Sequence, residues 1–351
     1  MSTTRSLVSP DISKRFNVLR TLLVLFVIGI HAEKGLQAYY AEIPDLLRGY
    51  LALFPHGLFR LSVPIFFSIS GYLFFLTYKP TVAAYGKMLL KKSRTILFPY
   101  LLFNAITIAL IVIFNKAPYM GDIHGLRQDG VLKMLLGVYR FPAVYPLWFL
   151  RDLYLYFILA PVFYVVSVEI PLVGIVAYWA LWMFVPQAGL PVELSGMFFF
   201  YGGCLLARIG ADLDAARRWL LPVLAVYLGL LLIAAHLEYH EGFPPIFHLV
   251  YRNSMIAGTV SVWLLSGYAW LGRSALLLRL AAYSFFVYLT HEPVLSYLIY
   301  GTRFVFKPSG GVIGIAYMWL LTLLAFALCY GLARLLERYL PRAYALATGA
   351  R

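Results

Sequence analysis

Long apolar runs separated by short polar stretches recur along the whole chain. The runs are continuous, whereas strands of a membrane barrel alternate apolar and polar residues over about 10 positions. A helix needs about 20 predominantly apolar residues to cross a bilayer. The pattern therefore predicts an all-α, polytopic membrane protein with about ten transmembrane helices in one bundle, at residues 17–34, 60–78, 95–115, 146–167, 170–187, 194–209, 219–237, 251–271, 280–301 and 312–336.

The composition also indicates that lipid is the solvent. Hydrophobic residues make up 62% of the chain and charged residues 13%, with a mean hydropathy of +0.81. An ordinary soluble domain is about 45–50% apolar and about 25% charged. A net charge of +14 would favour nucleic acid as the partner of a soluble protein. Here the basic residues flank apolar runs, so we expect contact with the lipid bilayer and no nucleic-acid binding.

The distribution of Lys and Arg between alternate loops predicts the topology. If the N-terminus is inside, basic residues are more numerous on that side than on the other. The positive-inside rule then places both termini in the cytoplasm. We expect a single integral-membrane domain over 1–351, with a cytoplasmic segment at 1–16 and a cytoplasmic tail at 337–351. No small-residue cleavage site follows the polar start, so no cleavable signal peptide is expected.

The first apolar run has a charged residue near each end. Arg20 and His31 are eleven positions apart, which on an α-helix is about 1100° of rotation and about 16 Å of rise. Both side chains therefore lie on one stripe of the helix. The stretch between them is too short to cross a core of about 30 Å, so at least one of them lies at membrane depth. The alternative is an ordinary span with Arg20 at the inner interface and His31 at the outer one.

Other predicted spans carry polar residues as well. Such residues are costly in lipid and usually face the interior of the bundle. Predicted depth separates two groups: a polar group in the outer half or middle of the bilayer and a basic group at the cytoplasmic face. Ser68, Ser70 and Gly71 in the second predicted span permit close helix contact. The polar group contains His31, Trp148, Arg151, Asp152 and His291, and the basic group contains Arg20, Lys87, Lys91, Lys92 and Arg94.

These stretches together resemble the acyltransferase 3 family of integral-membrane acyltransferases, over nearly the whole chain. The most specific element is R-x10-H, met by Arg20 and His31. Family members often carry R-x-x-R in the inner loop, where this chain has Lys91 and Arg94; lysine keeps the charge but loses the bidentate fork. The other matching segments, in order, are VPIFFSISGYLF (Val63–Phe74), KKSRTILFPYLLF (Lys91–Phe103), LWFLRDL (Leu147–Leu153) and YLTHEPVL (Tyr288–Leu295).

The resemblance implies a bacterial inner-membrane enzyme that transfers acetyl from cytoplasmic acetyl-CoA to a sugar hydroxyl. The acceptor would be a cell-surface polysaccharide, such as an exopolysaccharide or O-antigen, or its lipid-linked precursor. His31 would be the general base, or would accept the acyl group itself. Asp152 would hold the His31 ring or pair with Arg151. The residues expected to bind substrate are Arg20, Glu33, Ser70, Lys91, Arg94, Trp148, Arg151 and His291.

Several alternatives remain open at this stage. His291 has a packing role or a catalytic one. His236 and His240 have the i, i+4 spacing of metal ligands, but without HExxH we expect no metal. Cys204 and Cys329 lie in apolar runs and predict no disulfide. A glycolipid transporter or flippase would share the polytopic layout, although the two halves show no repeat, and an inactive sensor would share the fold. The oligomeric state is not predicted.

Overall fold

The computed structural model describes residues 10–37, 39–40, 42–117, 121–138 and 141–350. Residues 1–9 of the predicted cytoplasmic segment 1–16 lie outside this part of the chain. Residues 10–16 form the start of the first helix.

Helices of very different lengths make up the first half of the described chain. The helices are α1 (Pro10–Ala32), α2 (Lys34–Gln37), α3 (Asp45–Leu53), α4 (Ser62–Phe75), α5 (Val82–Lys92), α6 (Phe98–Phe114), α7 (Ile123–Asp129), α8 (Val131–Leu136), α9 (Trp148–Ile158) and α10 (Ala160–Glu169). A π-helical turn at Ser93–Leu97 joins α5 to α6.

The second half is also helical. It contains α11 (Pro171–Phe184), α12 (Leu194–Arg208), α13 (Leu213–Ala216), α14 (Leu220–Glu241), α15 (Pro245–Leu265), α16 (Ala275–Ala281), α17 (Ser284–Thr302), α18 (Gly311–Tyr339) and α19 (Pro341–Thr348). Short 3₁₀ helices lie at Leu58–Leu61, Tyr145–Leu147, Arg217–Trp219 and Ala269–Arg273. The strands of the described chain are the two-residue β1 (Lys116–Ala117) and β2 (Gly121–Asp122), which pair antiparallel.

The prediction of a helical, multi-pass membrane protein is supported by the lengths of these helices. Each of the ten predicted segments falls on a helix or a helix pair. Within the described residues, five helical stretches are long and apolar enough to cross a membrane, and a sixth is formed if α9 and α10, bent by 59°, make one span. α11 and α12 are apolar but shorter. The number of ten spans and the side of each terminus stay predictions. The five stretches are Asp11–Leu36, Asp45–Phe75, Val82–Phe114, Arg217–Glu241 and Gly311–Tyr339.

Two glycines bring α4 and α12 into backbone contact. A Cβ added to Gly71 on α4 would lie within 3.0 Å of the carbonyl oxygen of Phe200, and one added to Gly203 on α12 would lie equally close to that of Ser68. The Ser68 hydroxyl accepts a hydrogen bond of 2.6 Å from the indole N–H of Trp263 on α15. The small residues of α4 therefore make the close helix contact that their sequence predicts.

The packing of α1 determines where its polar residues lie. This helix contacts α16, α17 and α18 along its length. Most of its apolar side chains are buried, and Ile28 and Ala32 have no exposed surface. The C-terminal end of α1 is thereby held against the middle of α17, where Pro293 lies inside the helix. This contact brings His31 next to His291.

Candidate functional site

Two cavities lie within the helical bundle, and we name them by their linings. The basic cavity has a volume of about 720 Å³ and is lined by Arg20, Lys91 and Lys92 among many apolar side chains. The aromatic cavity has a volume of about 610 Å³, and Tyr145 and Trp148 belong to its lining. The predicted cationic and polar groups are therefore separated in space.

The basic cavity collects several of the residues expected to bind substrate. Arg20, Ser70 and Lys91 line it, and Arg20 donates a 3.4 Å hydrogen bond to the side-chain oxygen of Asn17. Lys92 also lines it, with its ammonium 4.2 Å from the ring centroid of Phe157. Because Lys92 is adjacent to Lys91 in the sequence, spacing alone gave no reason to prefer it.

Arg94 is placed differently from the other basic residues. Its side chain is exposed and it is absent from the lining of the basic cavity. The π-helical turn at Ser93–Leu97 adds one residue to that turn of the backbone and carries Arg94. The second position of the R-x-x-R-like pair thus lies beside the cavity rather than in its wall.

His31 is buried at the C-terminal end of α1, with 9% of its surface exposed. Its ring centroid lies 5.6 Å from that of His291 and 5.7 Å from that of Tyr145, which meets it edge to face. Its Nδ1 lies 3.8 Å from Oε2 of Glu292. The side chains around His31 therefore include a second imidazole, a phenol and a carboxylate.

His291 and Glu292 are both almost completely buried on α17. Nδ1 of His291 lies 2.7 Å from the backbone oxygen of Tyr288, so this nitrogen carries the proton and Nε2 of the neutral ring is an acceptor. Nε2 of His291 and Oε2 of Glu292 are buried and have no hydrogen-bond partner in the described part of the protein. Each of these two atoms is therefore able to accept a hydrogen bond from a neighbouring N–H or O–H donor. The other oxygen of Glu292 accepts a 2.5 Å bond from Lys34.

The same three side chains also have the spacing of metal ligands. Ligand atoms of His31, His291 and Glu292 all lie within 4.8 Å of one another, an arrangement that the sequence did not suggest. The ammonium of Lys34 is bonded to the same carboxylate. A metal cation here would be repelled by that ammonium, so the donor set fits a proton better than a metal ion.

The histidine pair lies between the two cavities. Tyr288 lines the basic cavity and its ring centroid is 5.7 Å from that of His291. Tyr145 lines the aromatic cavity and contacts His31. Neither cavity lining includes His31 or His291 themselves. The pair therefore contacts the lining of each cavity through an aromatic ring.

Asp152 pairs with Arg151, which is one of the two roles left open by the sequence. Nε of Arg151 donates to Oδ1 of Asp152 at 2.8 Å, and Nη1 of Arg151 donates to the carbonyl of Gly137. Oδ2 of Asp152 accepts from the backbone N–H of Glu193 at 2.8 Å. Both residues line the aromatic cavity, as does Trp148. The carboxylate beside the His31 ring is Glu292, not Asp152.

Glu33 lies in neither cavity lining. Its carboxylate is 2.9 Å from Nε2 of His56, and Nδ1 of His56 bonds to Glu238 at the end of α14. His56 had no partner that its sequence position could reveal, because Glu33 and Glu238 are remote from it along the chain. This cluster ties the end of α1 to the end of α14.

The fold and the site define a multi-pass helical protein in which two buried histidines lie between a basic cavity and an aromatic one. A family model described as an acyltransferase domain matches residues 13–334, and the chain belongs to this acyltransferase 3 family. The chain is similar to the succinoglycan biosynthesis protein ExoH of Rhizobium meliloti (strain 1021), with 28% identity over 297 residues, which are 81% of this chain and 79% of the relative. No solved structure matches significantly. The family inferred from the sequence motifs is confirmed.

Proposed function

We propose that the protein is an O-acetyltransferase of the bacterial inner membrane. It transfers acetyl from cytoplasmic acetyl-CoA to a sugar hydroxyl of a cell-surface polysaccharide or of its lipid-linked precursor. Membership of an acyltransferase family supports the reaction type, and a relative named for succinoglycan biosynthesis supports a polysaccharide acceptor. The observation that carries the proposal is the position of His31 between two cavities of different chemistry.

The basic cavity is the proposed donor site. With both termini in the cytoplasm, Arg20, Lys91 and Lys92 lie at the cytoplasmic face, where they bind the phosphates of coenzyme A through charge-assisted hydrogen bonds. Arg94 lies at the rim and adds to the attraction over a longer range. The apolar lining, which ends near Tyr288, accommodates the pantetheine arm and directs the thioester toward the histidines.

The aromatic cavity is the proposed acceptor site. Tyr145 and Trp148 offer flat apolar faces to a sugar ring, and the hydrogen-bonding groups of Arg151 and Glu193 lie in the same wall. Tyr145 also contacts His31. A hydroxyl bound there is therefore close to the base.

In the proposed reaction, His31 takes the proton of the sugar hydroxyl while the hydroxyl oxygen attacks the carbonyl carbon of the thioester. The carbon–sulfur bond breaks, and the coenzyme A thiolate takes the proton back from the imidazolium. Glu292, whose Oε2 lies 3.8 Å from Nδ1 of His31, stabilises the imidazolium between these steps, and His291 lies beside that ring with an acceptor that has no other partner in the described residues. An acyl-His31 intermediate is the alternative route through the same residue.

The test is acetyl transfer from radiolabelled acetyl-CoA to polysaccharide in membranes that contain the protein. His31→Ala is expected to lower transfer by at least about a hundredfold, since general base catalysis contributes about 10²–10⁴-fold. His124→Ala, at an exposed position of α7, is the control and should match the wild type. A His31→Ala variant with the wild-type rate would remove His31 from the chemistry. Mass spectrometry of surface glycans with and without the protein then identifies the acceptor.

A further inference from the structure

The charged side chains of the aromatic cavity do not balance. Its lining holds three guanidinium groups, those of Arg60, Arg151 and Arg252, and two carboxyl groups, those of Asp152 and Glu193. Arg151 and Asp152 neutralise each other at 2.8 Å. Besides this pair, His248 and the tyrosines, the lining holds three ionisable side chains, those of Arg60, Arg252 and Glu193.

Arg252 and Glu193 are both engaged in local structure. Nη1 of Arg252 donates to the backbone oxygens of Trp182 and Met183 at 2.7 and 2.8 Å, which are carbonyls at the C-terminal end of α11. Glu193 accepts a 3.1 Å hydrogen bond from Ser195, and burial raises the pKa of the Glu193 carboxyl above its usual range. The Glu193 carboxylate is thus bonded to Ser195, and within the described residues it forms no ion pair with Arg60.

Arg60 has no such engagement. It lies in the 3₁₀ helix Leu58–Leu61, its side chain is exposed, and it makes no ion pair within the described residues. It lines the same cavity as Tyr145, whose ring contacts His31, so the guanidinium belongs to the cavity beside the proposed reaction centre. A cation without an ion-pair partner in the described residues therefore lies at the edge of a cavity whose lining also includes the rings of Tyr145 and Trp148.

We propose that the aromatic cavity takes an acceptor that carries an anionic group, a carboxylate or a phosphate, and that Arg60 recognises this group. The proposal rests on the proposed function and names the substrate class of the same site.

The chemistry of the lining favours such an acceptor over a neutral one. The guanidinium fork matches carboxylate and phosphate oxygens, which it binds through two parallel hydrogen bonds. The aromatic faces of Tyr145 and Trp148 accept the sugar ring. A neutral sugar fills the aromatic part of the cavity and leaves Arg60 without a counter-charge. An acidic sugar, or a sugar on a phosphate-linked lipid, uses both parts.

The experiment measures acceptor binding separately from turnover. Purified protein is titrated with a glucuronate-containing oligosaccharide and with its carboxyl-reduced, neutral counterpart, each free or linked to polyprenyl pyrophosphate. Quenching of tryptophan fluorescence reports binding, because Trp148 and Trp182 line the cavity. The same acceptors are then used with labelled acetyl-CoA. The variants are Arg60→Gln, Arg60→Lys and the control Arg48→Gln, an exposed arginine over Tyr239 that lies outside the cavity lining.

Arg60→Gln is expected to weaken binding of the anionic acceptor by about tenfold or more. It should leave the affinity for the free neutral oligosaccharide and the KM for acetyl-CoA unchanged. Arg60→Lys should lose less affinity for the anionic acceptor, and Arg48→Gln should keep the wild-type affinity. Preference for the free acidic oligosaccharide identifies a sugar carboxylate, whereas preference for both lipid-linked forms identifies the phosphate. Equal loss for neutral and anionic acceptors, or no loss at all, would overturn the proposal. Binding without acetyl transfer by the wild type would instead refute the proposed function alone.

Discussion

Replacing Glu292 by glutamine removes one negative charge next to His31 and keeps the side-chain volume. The distance from Oε2 of Glu292 to Nδ1 of His31 is 3.8 Å. At an effective dielectric constant of about 20, unlike unit charges at that distance attract by about 4 kcal/mol. Lys34 shares the carboxylate at 2.5 Å, so we take about half of this value, about 2 kcal/mol, as the loss of imidazolium stabilisation.

A loss of about 2 kcal/mol in the transition state corresponds to a rate about 30-fold lower. We therefore expect Glu292→Gln to lower kcat by about 30-fold at saturating acetyl-CoA and acceptor, with little change in the KM for acetyl-CoA. The assay is steady-state transfer of labelled acetyl by the purified protein. Glu169→Gln, the same change at an exposed carboxylate, is the control. A Glu292→Gln variant with wild-type kcat would refute the reasoning.

A second variant separates electrostatics from folding. In Glu292→Gln the ammonium of Lys34 remains without its carboxylate and repels the imidazolium. Lys34→Met combined with Glu292→Gln removes both charges, so its kcat should lie above that of the single variant. A double variant that is slower than the single one, with an unchanged melting temperature, would contradict the electrostatic account.

Three further outcomes follow from the geometry. Arg20→Gln should raise the KM for acetyl-CoA by about tenfold, since a charge-assisted hydrogen bond is lost, and an unchanged KM would exclude it from the donor site. Gly203→Ala should lower the free energy of unfolding by about 1–3 kcal/mol, because its Cβ would contact the Ser68 carbonyl. The control in a thermal melt is Gly202→Ala, whose Cβ meets nothing within 4 Å. Equal melting temperatures for the two variants would contradict the packing argument. Tyr344→Ala opens the wall of the basic cavity and should change donor KM but not acceptor KM; a change confined to the acceptor would contradict that placement.

Local spacing predicted the features that lie on one helix. Arg20 and His31 both lie on α1. Their separation of eleven positions is close to three helical turns, and this local geometry does not depend on tertiary structure. The partners of His31 could not be predicted from local spacing. Glu292 reaches Lys34 across 258 positions of the chain, and no periodicity relates α1 to α17. The pairing of His56 with Glu33 and Glu238 is likewise non-local.

The number of membrane spans was harder to predict from the sequence than the positions of the helices, for a physical reason. The segment 280–301 was predicted as a span from its apolar residues, and α17 does cover it. His291, Glu292 and Pro293 lie in that helix, and it is not among the stretches apolar enough to cross a membrane on composition. Polar residues that equip a site also lower the hydropathy by which spans are recognised. The segments with the most polar and ionisable residues are therefore the hardest to recognise as membrane spans.

The glycine contact between α4 and α12 has a consequence for how the two cavities communicate. α4 lines the basic cavity through Ser70 and the aromatic cavity through Val63. At Gly71 and Gly203 its backbone touches that of α12 without intervening side chains, which leaves no layer of side chains to repack if the helices slide. The two helices then form one rigid unit that runs past both cavities. Under the proposed function only a two-carbon unit crosses between them, and the bundle has no need to rock open around a whole sugar.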